Sequence, residues 1–148
     1  MGKGRIDRMR MLFVAGAIAA MLAIPAGVAR ADTLYWDGGA VDIATDGDGA
    51  SQGGAGTWNT TILNWDQGAG LAHVAWNNGN NDIAVFGGTA GTVTLGTGVT
   101  VGGLQFDTAN YTISGGSNTL TFGSPGSIAA NASATISSTI GGAVAIAK

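Results

Sequence analysis

The chain has 148 residues, of which 45% are hydrophobic, only 10% are charged and 27 are glycine. Cysteine is absent, so disulfides do not contribute to stability. Every arginine lies within the first 30 residues, and the rest of the chain has one lysine, Lys148. These are too few basic side chains to neutralise phosphates, which excludes nucleic-acid binding.

Residues 1–31 are predicted to form a cleaved signal peptide. A basic stretch ends at Arg10, and an uncharged apolar run of 14 residues follows from Met11 to Ile24. This length suits a secretory signal and falls short of the about 20 residues that span a membrane. Ala29-Arg30-Ala31 supplies the small residues that a signal peptidase reads, which predicts a mature N-terminus at Asp32 and export by the general secretory route. An uncleaved membrane anchor or a buried helix is the alternative.

The exported chain divides by composition into two regions. Residues 32–88, the Trp-rich N-terminal region, contain the only histidine, all four tryptophans and seven of the eight aspartates that follow residue 31. With one lysine, Lys148, the exported chain has a net charge of −7. The tryptophans are Trp36, Trp58, Trp65 and Trp76. Trp58 and Trp65, together with Phe86, are predicted to cap the open apolar end of the fold that follows. The alternative is that the four tryptophans form an exposed row of rings that stacks on glycans.

Residues 89–148 are predicted to form short strands, because apolar and polar residues alternate and glycines fall between the apolar pairs. The predicted strands are Thr92–Leu95, Val99–Val101, Leu104–Phe106, Tyr111–Ser114, Thr119–Phe122, Ser127–Ala129, Ala134–Ser137 and Ala143–Ile146. Their starts lie about five to nine residues apart, whereas a β-sandwich spaces its strands by about 8–12 residues. A parallel β-solenoid with coils of roughly 20–25 residues fits this spacing better, and a sandwich is the alternative.

Four stretches of the chain carry a resemblance to a known family. They read "YWDGG", "GTWNTTILNWD", "AWNNGNND" and "NDIAVFGGTAGTVTLGTGVTVGGLQFDTANYTISGG". Together they resemble the segment that precedes the repeats in secreted bacterial proteins of the autotransporter-associated β-strand repeat family. The resemblance implies an all-β, right-handed parallel β-helix at the cell surface or outer membrane, with no catalytic residues and no cofactor. No complete copy of the family's repeat is present, so we expect the chain to be the N-terminal portion of a longer protein, truncated within its solenoid.

Three features could carry chemistry, and each favours a structural interpretation. Asp42, Asp46 and Asp48 lie in an acidic loop, and Asp46 and Asp48 have the spacing of a calcium loop, but Thr57 stands where such a loop needs a bidentate glutamate. Asp82 lies in a single copy of a Gly-Asn-Asp motif that binds calcium only in consecutive turns. His73 is the only histidine, too few for a zinc site in a chain without cysteine. We therefore predict no catalytic, cofactor-binding or metal-binding residue.

The predicted function is that of a non-catalytic passenger or stalk segment of a secreted or surface-exposed bacterial protein, with an adhesive role. The alternative is a carbohydrate-binding module that uses the Trp-rich region. Candidate partners are a surface glycan and a host or matrix component. A second copy of the chain is a further candidate, because no charged side chain between Asp107 and Lys148 protects the last strands from edge-to-edge pairing.

Overall fold

The computed structural model describes residues 31–38 and 47–147. Apart from Ala31, the predicted signal peptide lies outside these ranges, as do Asp42 and Asp46 of the acidic loop. The described chain is all-β, and none of its residues forms a helix long and apolar enough to cross a membrane. Its strands are β1 (Thr33–Trp36), β2 (Gly56–Trp58), β3 (Leu63–Asp66), β4 (Val74–Ala75), β5 (Ile83–Phe86), β6 (Thr92–Leu95), β7 (Val99–Phe106), β8 (Tyr111–Ser114), β9 (Thr119–Ala130), β10 (Ala134–Ile136) and β11 (Thr139–Ala147).

The strands stack into two sheets. One has the order β11-β9-β7-β5-β1-β3-β4 and the other the order β10-β8-β6-β2. In the first sheet, the neighbouring strands β1, β5, β7, β9 and β11 all pair in parallel. Every pair in the second sheet is also parallel. From β5 onward in the first sheet and from β6 onward in the second, paired residues lie about 20 positions apart, as Val93 and Ile113 do. The fold is therefore a β-solenoid of about three coils, as predicted, and the sandwich alternative is wrong.

The long strands β7 and β9 each contain two of the predicted strands. The register between them shifts between Val101 and Gly103, and such a bulge bends a strand while keeping it in the sheet. Only glycine fits at this bend, because a Cβ on Gly102 would lie 2.0 Å from the backbone oxygen of Asn81. The alternation of apolar and polar residues is interrupted at the bend and resumes after it. For this reason each long strand was predicted as two short ones.

Apolar side chains at matching positions of successive coils stack in the interior. Phe86 lies opposite Phe106, with ring centroids 5.2 Å apart and planes inclined by 18°. Ile113 lies between Val93 and Ile136 in the second sheet. Removal of these stacked side chains from water is the main favourable contribution to folding. Each coil therefore needs apolar residues at the same inward positions.

The two ends of the solenoid differ. At the N-terminal end the seven-stranded sheet continues past β1 into two antiparallel strands, β3 and β4. The edge strand there, β4, has only two residues, and very short edge strands discourage pairing with another chain. At the other end the edge strand is β11, with nine residues.

Candidate functional site

The four tryptophans form one buried cluster, called here the Trp cluster. Its members are Trp36, Trp58, Trp65 and Trp76, and at most 1% of each is exposed. The ring centroids of Trp58 lie 4.9 Å from those of both Trp65 and Trp76. Trp36 packs edge-on against Trp65 at 5.0 Å. The rings contact one another through tilted and edge-to-face geometries, which aromatic pairs prefer, and none offers an open face to solvent.

The Trp cluster is built by residues of β1, β2 and β3 and by the residue that follows β4. Trp36 ends β1 and lies opposite Trp65 of β3, whereas Trp58 ends β2 and lies opposite Leu95 of β6. Phe86 joins this cluster to the interior ladder, since its ring lies 5.7 Å from Trp58 and 5.2 Å from Phe106. The aromatic core is therefore continuous from the N-terminal strands into the coils.

The indole N–H groups of the cluster are satisfied in two of the four cases. Trp36 Nε1 donates to the Gly54 carbonyl at 2.9 Å. Trp76 Nε1 donates to the Thr100 carbonyl, also at 2.9 Å, and this bond ties the segment after β4 to β7. Nε1 of Trp58 and Nε1 of Trp65 are buried without a hydrogen-bond partner among the described residues. An unsatisfied buried donor costs about 1–3 kcal/mol, so packing must supply the stability of these two rings.

Asp37 and His73 form a buried pair that the sequence interpretation missed. His73 Nε2 lies 2.9 Å from Asp37 Oδ2, and 5% and 1% of the two residues are exposed. Asp37 Oδ1 also accepts a hydrogen bond from the backbone N–H of Gln52 at 2.6 Å. The pair thus connects the end of β1, the segment around Gln52 and the residue before β4. Thirty-six positions separate the two side chains, and no local spacing indicates their contact.

Tyr111 extends this polar region into the coils. Its hydroxyl lies 2.6 Å from the Gly87 carbonyl and 2.9 Å from the Thr89 carbonyl. Burial raises the pKa of Tyr111 to about 12, with the negative charge of Asp37 adding to the effect and a hydrogen bond with Ser51 opposing it. The phenol therefore stays protonated at neutral pH and acts as a donor to the backbone.

Asp48 and Asp82, two further carboxylates of the N-terminal region, also accept hydrogen bonds from backbone groups. Asp48, from the acidic loop, accepts hydrogen bonds from Ala50 N and Gln52 Nε2. Asp82 accepts one from Asp32 N at 2.9 Å and directly precedes β5, as expected of a structural turn. Thr57 lies within β2. Within residues 31–38 and 47–147, no group of three or more histidine and acidic side chains could hold a metal ion.

Comparison with known proteins yields one informative match. The chain is 39% identical over 128 residues to the adhesin BmaC autotransporter of Brucella suis biovar 1 (strain 1330). The matched stretch covers 84% of this chain and 4% of that relative. No protein-family model and no solved structure matches the chain. The match confirms the predicted resemblance to autotransporter-associated proteins, and it supports the predicted secretion to the extracellular or outer-membrane surface.

Proposed function

We propose that this autotransporter-related chain is a non-catalytic structural segment of a surface-exposed passenger, with a role in adhesion. The main support is the repeated parallel register from β5 to β11, because stacked coils build an extended scaffold in which each coil contacts only its neighbours. The adhesin relationship supports the second part of the proposal. On this view the interior holds the scaffold together and the outward-facing strand residues are available to partners.

We further propose that residues 32–88 cap the solenoid. The Trp cluster would cover the apolar interior of the first coil, while β3 and β4 extend the sheet and end it with a two-residue edge. Terminal repeats of solenoids require such a cover for solubility. The glycan-binding alternative is less well supported, because stacking on a sugar needs an accessible ring face and all four rings are buried.

Surface display tests the adhesive role. A non-adherent bacterium that displays the chain on an unrelated anchor should be retained on host cells or extracellular matrix several-fold more than the same bacterium displaying an unrelated β-solenoid. The two strains are compared at equal surface density, measured with an epitope tag. Equal retention of the two strains would contradict adhesion by this segment.

Self-association is expected at the β11 edge of the purified chain. The edge strand is long, its Ile140 is 45% exposed, and no charged residue lies between Asp107 and Lys148 to oppose pairing with a second copy. Light scattering should show species larger than a monomer, and Ile140→Lys should reduce them by placing a charge on this strand. Leu63→Lys is the matched control, because Leu63 is 52% exposed but lies on β3, which is paired on both sides. A monomeric wild-type chain would contradict this expectation.

A further inference from the structure

The first half of β7 has a strand partner on one side only. Residues 99–101 pair with β9, whereas β5 pairs only with residues 103–106 of β7. On the side without a strand, the backbone of this half-strand and of the residue before it bonds to side chains of the loop that connects β4 to β5. This loop therefore takes the place of a neighbouring strand.

Asn78 makes two of the three bonds between this loop and β7. Its Oδ1 accepts from the Thr100 backbone N–H at 2.8 Å, and its Nδ2 donates to the Gly98 carbonyl at 3.1 Å. Trp76 Nε1 makes the third bond, to the Thr100 carbonyl. An amide suits this position because it carries both an acceptor and a donor, whereas a carboxylate could not donate to Gly98.

The Asn78 amide is also open to attack by the backbone of the next residue. That residue is Gly79, and no other asparagine in the sequence is followed by glycine. Glycine has no side chain to hinder the approach of its backbone nitrogen to the preceding Cγ. Both residues are exposed and lie in a turn that is closed by the bond from Asn80 N–H to the Asn77 carbonyl at 3.2 Å.

We propose that Asn78 is a site of spontaneous deamidation, and that this modification uncovers the open side of β7. The backbone nitrogen of Gly79 attacks Cγ of Asn78, and the new N–Cγ bond closes a cyclic imide. The Cγ–Nδ2 bond breaks, and Nδ2 leaves as ammonia with the proton that the Gly79 amide gives up. Water then opens the imide to aspartate or isoaspartate, so residue 78 gains a negative charge.

The contacts of the turn control the rate of this reaction. Gly79 N–H donates to Asn77 Oδ1 at 2.9 Å, and the Asn78 amide is held against β7, so both reacting groups are engaged in the closed turn. The reaction therefore proceeds when the turn opens, and exposed loops open at a low cost in free energy. Deamidation should be slower in the folded chain than in the urea-unfolded chain. It should accelerate with pH, because the attacking nitrogen must lose its proton.

Neither product restores the contacts of the amide. In aspartate both side-chain oxygens are acceptors, so Gly98 loses its donor. In isoaspartate the backbone runs through the former side chain and the carboxylate sits directly on the α-carbon, which withdraws it from Thr100 as well. The Thr100 N–H then loses its acceptor, and this side of β7 becomes accessible. The inference is independent of any adhesive role.

Peptide mass mapping of the purified, folded chain, aged in mildly alkaline buffer, tests the site. Residue 78 should gain the mass of an amide-to-acid conversion, whereas Asn110, which is exposed but followed by Tyr111, should not. Gly79→Ala is the matched control and should slow the conversion several-fold or more. It keeps Asn78, and the nearest atom to the new Cβ would be the exposed Asn77 Oδ1 at 3.3 Å. If Gly79→Ala does not fold, Asn78→Gln gives the same comparison, because its longer side chain cyclises far more slowly.

Hydrogen exchange of the aged chain measures the structural consequence. The Thr100 amide should lose protection in proportion to the conversion, while amides of β8, which pairs with a strand on each side, keep theirs. Equal conversion in the wild type and in Gly79→Ala would overturn the proposal. So would an unchanged Asn78 in the folded chain under conditions that convert the urea-unfolded chain, or a full conversion that leaves the protection of Thr100 unaltered.

Discussion

Replacing Trp58 with alanine is expected to lower the free energy of unfolding by about 3–5 kcal/mol, the range measured for large buried side chains truncated to alanine. The Trp58 side chain is fully buried. It contacts Trp65, Trp76 and Phe86 at centroid distances of 4.9, 4.9 and 5.7 Å, and its loss would leave a cavity between the N-terminal strands and the first coil. Because its Nε1 has no hydrogen-bond partner among the described residues, the loss is one of packing.

Denaturant unfolding of Trp58→Ala checks this prediction, with Leu63→Ala as the control. Leu63 is a large apolar residue of the same region, but it is 52% exposed, and its truncation should change the free energy by well under 1 kcal/mol. A stable Trp58→Ala protein that has lost retention on glycan columns would instead support a sugar-binding surface. The same pair of measurements on Trp65→Ala should give the same result as for Trp58.

Replacing Gly53 with alanine should lower the free energy of unfolding by about 3 kcal/mol or more, through left-handed backbone strain and overpacking acting together. Gly53 has φ +82°, and a Cβ there would lie 2.2 Å from the Thr89 oxygen and 2.4 Å from the Tyr111 hydroxyl. The Thr89 oxygen cannot shift away without disrupting the isolated parallel bridge that pairs Gly53 with Thr89. This bridge is one of the connections between the N-terminal region and the coils.

Gly70→Ala separates the two causes. Gly70 also has a positive φ, +74°, but nothing lies within 4 Å of the position of its Cβ. Its replacement should therefore cost only about 1 kcal/mol, from backbone conformation alone. Thermal or denaturant melts of both variants give the comparison. Equal effects at the two glycines would show that the contact between residues 53 and 89 does not stabilise the fold.

The coils could be predicted from sequence because their chemistry is local. The alternation of apolar and polar residues fixed the bounds of β6 and β8 correctly, since each inward side chain must be apolar in every coil. The continuity of β7 and β9 through their bends was not predicted, and β11 begins at Thr139, before the predicted start at Ala143. Whether a strand ends at a glycine or bends and continues depends on the neighbouring coil, here the Asn81 backbone above Gly102.

The N-terminal region could not be predicted to the same depth. A tryptophan in such a sequence is equally compatible with a buried and with an exposed position, and the packing of β1, β2 and β3 around Phe86 is what buries these rings. The His73–Asp37 pair depends on β1 and β4 meeting at one end of a sheet through β3, which no periodicity in residues 32–88 indicates. Contacts between distant segments of irregular spacing leave no pattern in the sequence.

The parallel register is the central claim, because the scaffold and the proposed cap both depend on it. Interstrand backbone nuclear Overhauser effects test it directly in the isotope-labelled chain. The structure predicts contacts between β6 and β8 in the register of Val93 with Ile113, and between β8 and β10 in the register of Ile113 with Ile136. Contacts that instead join strands adjacent in sequence, such as β6 with β7, in an antiparallel register would contradict the solenoid.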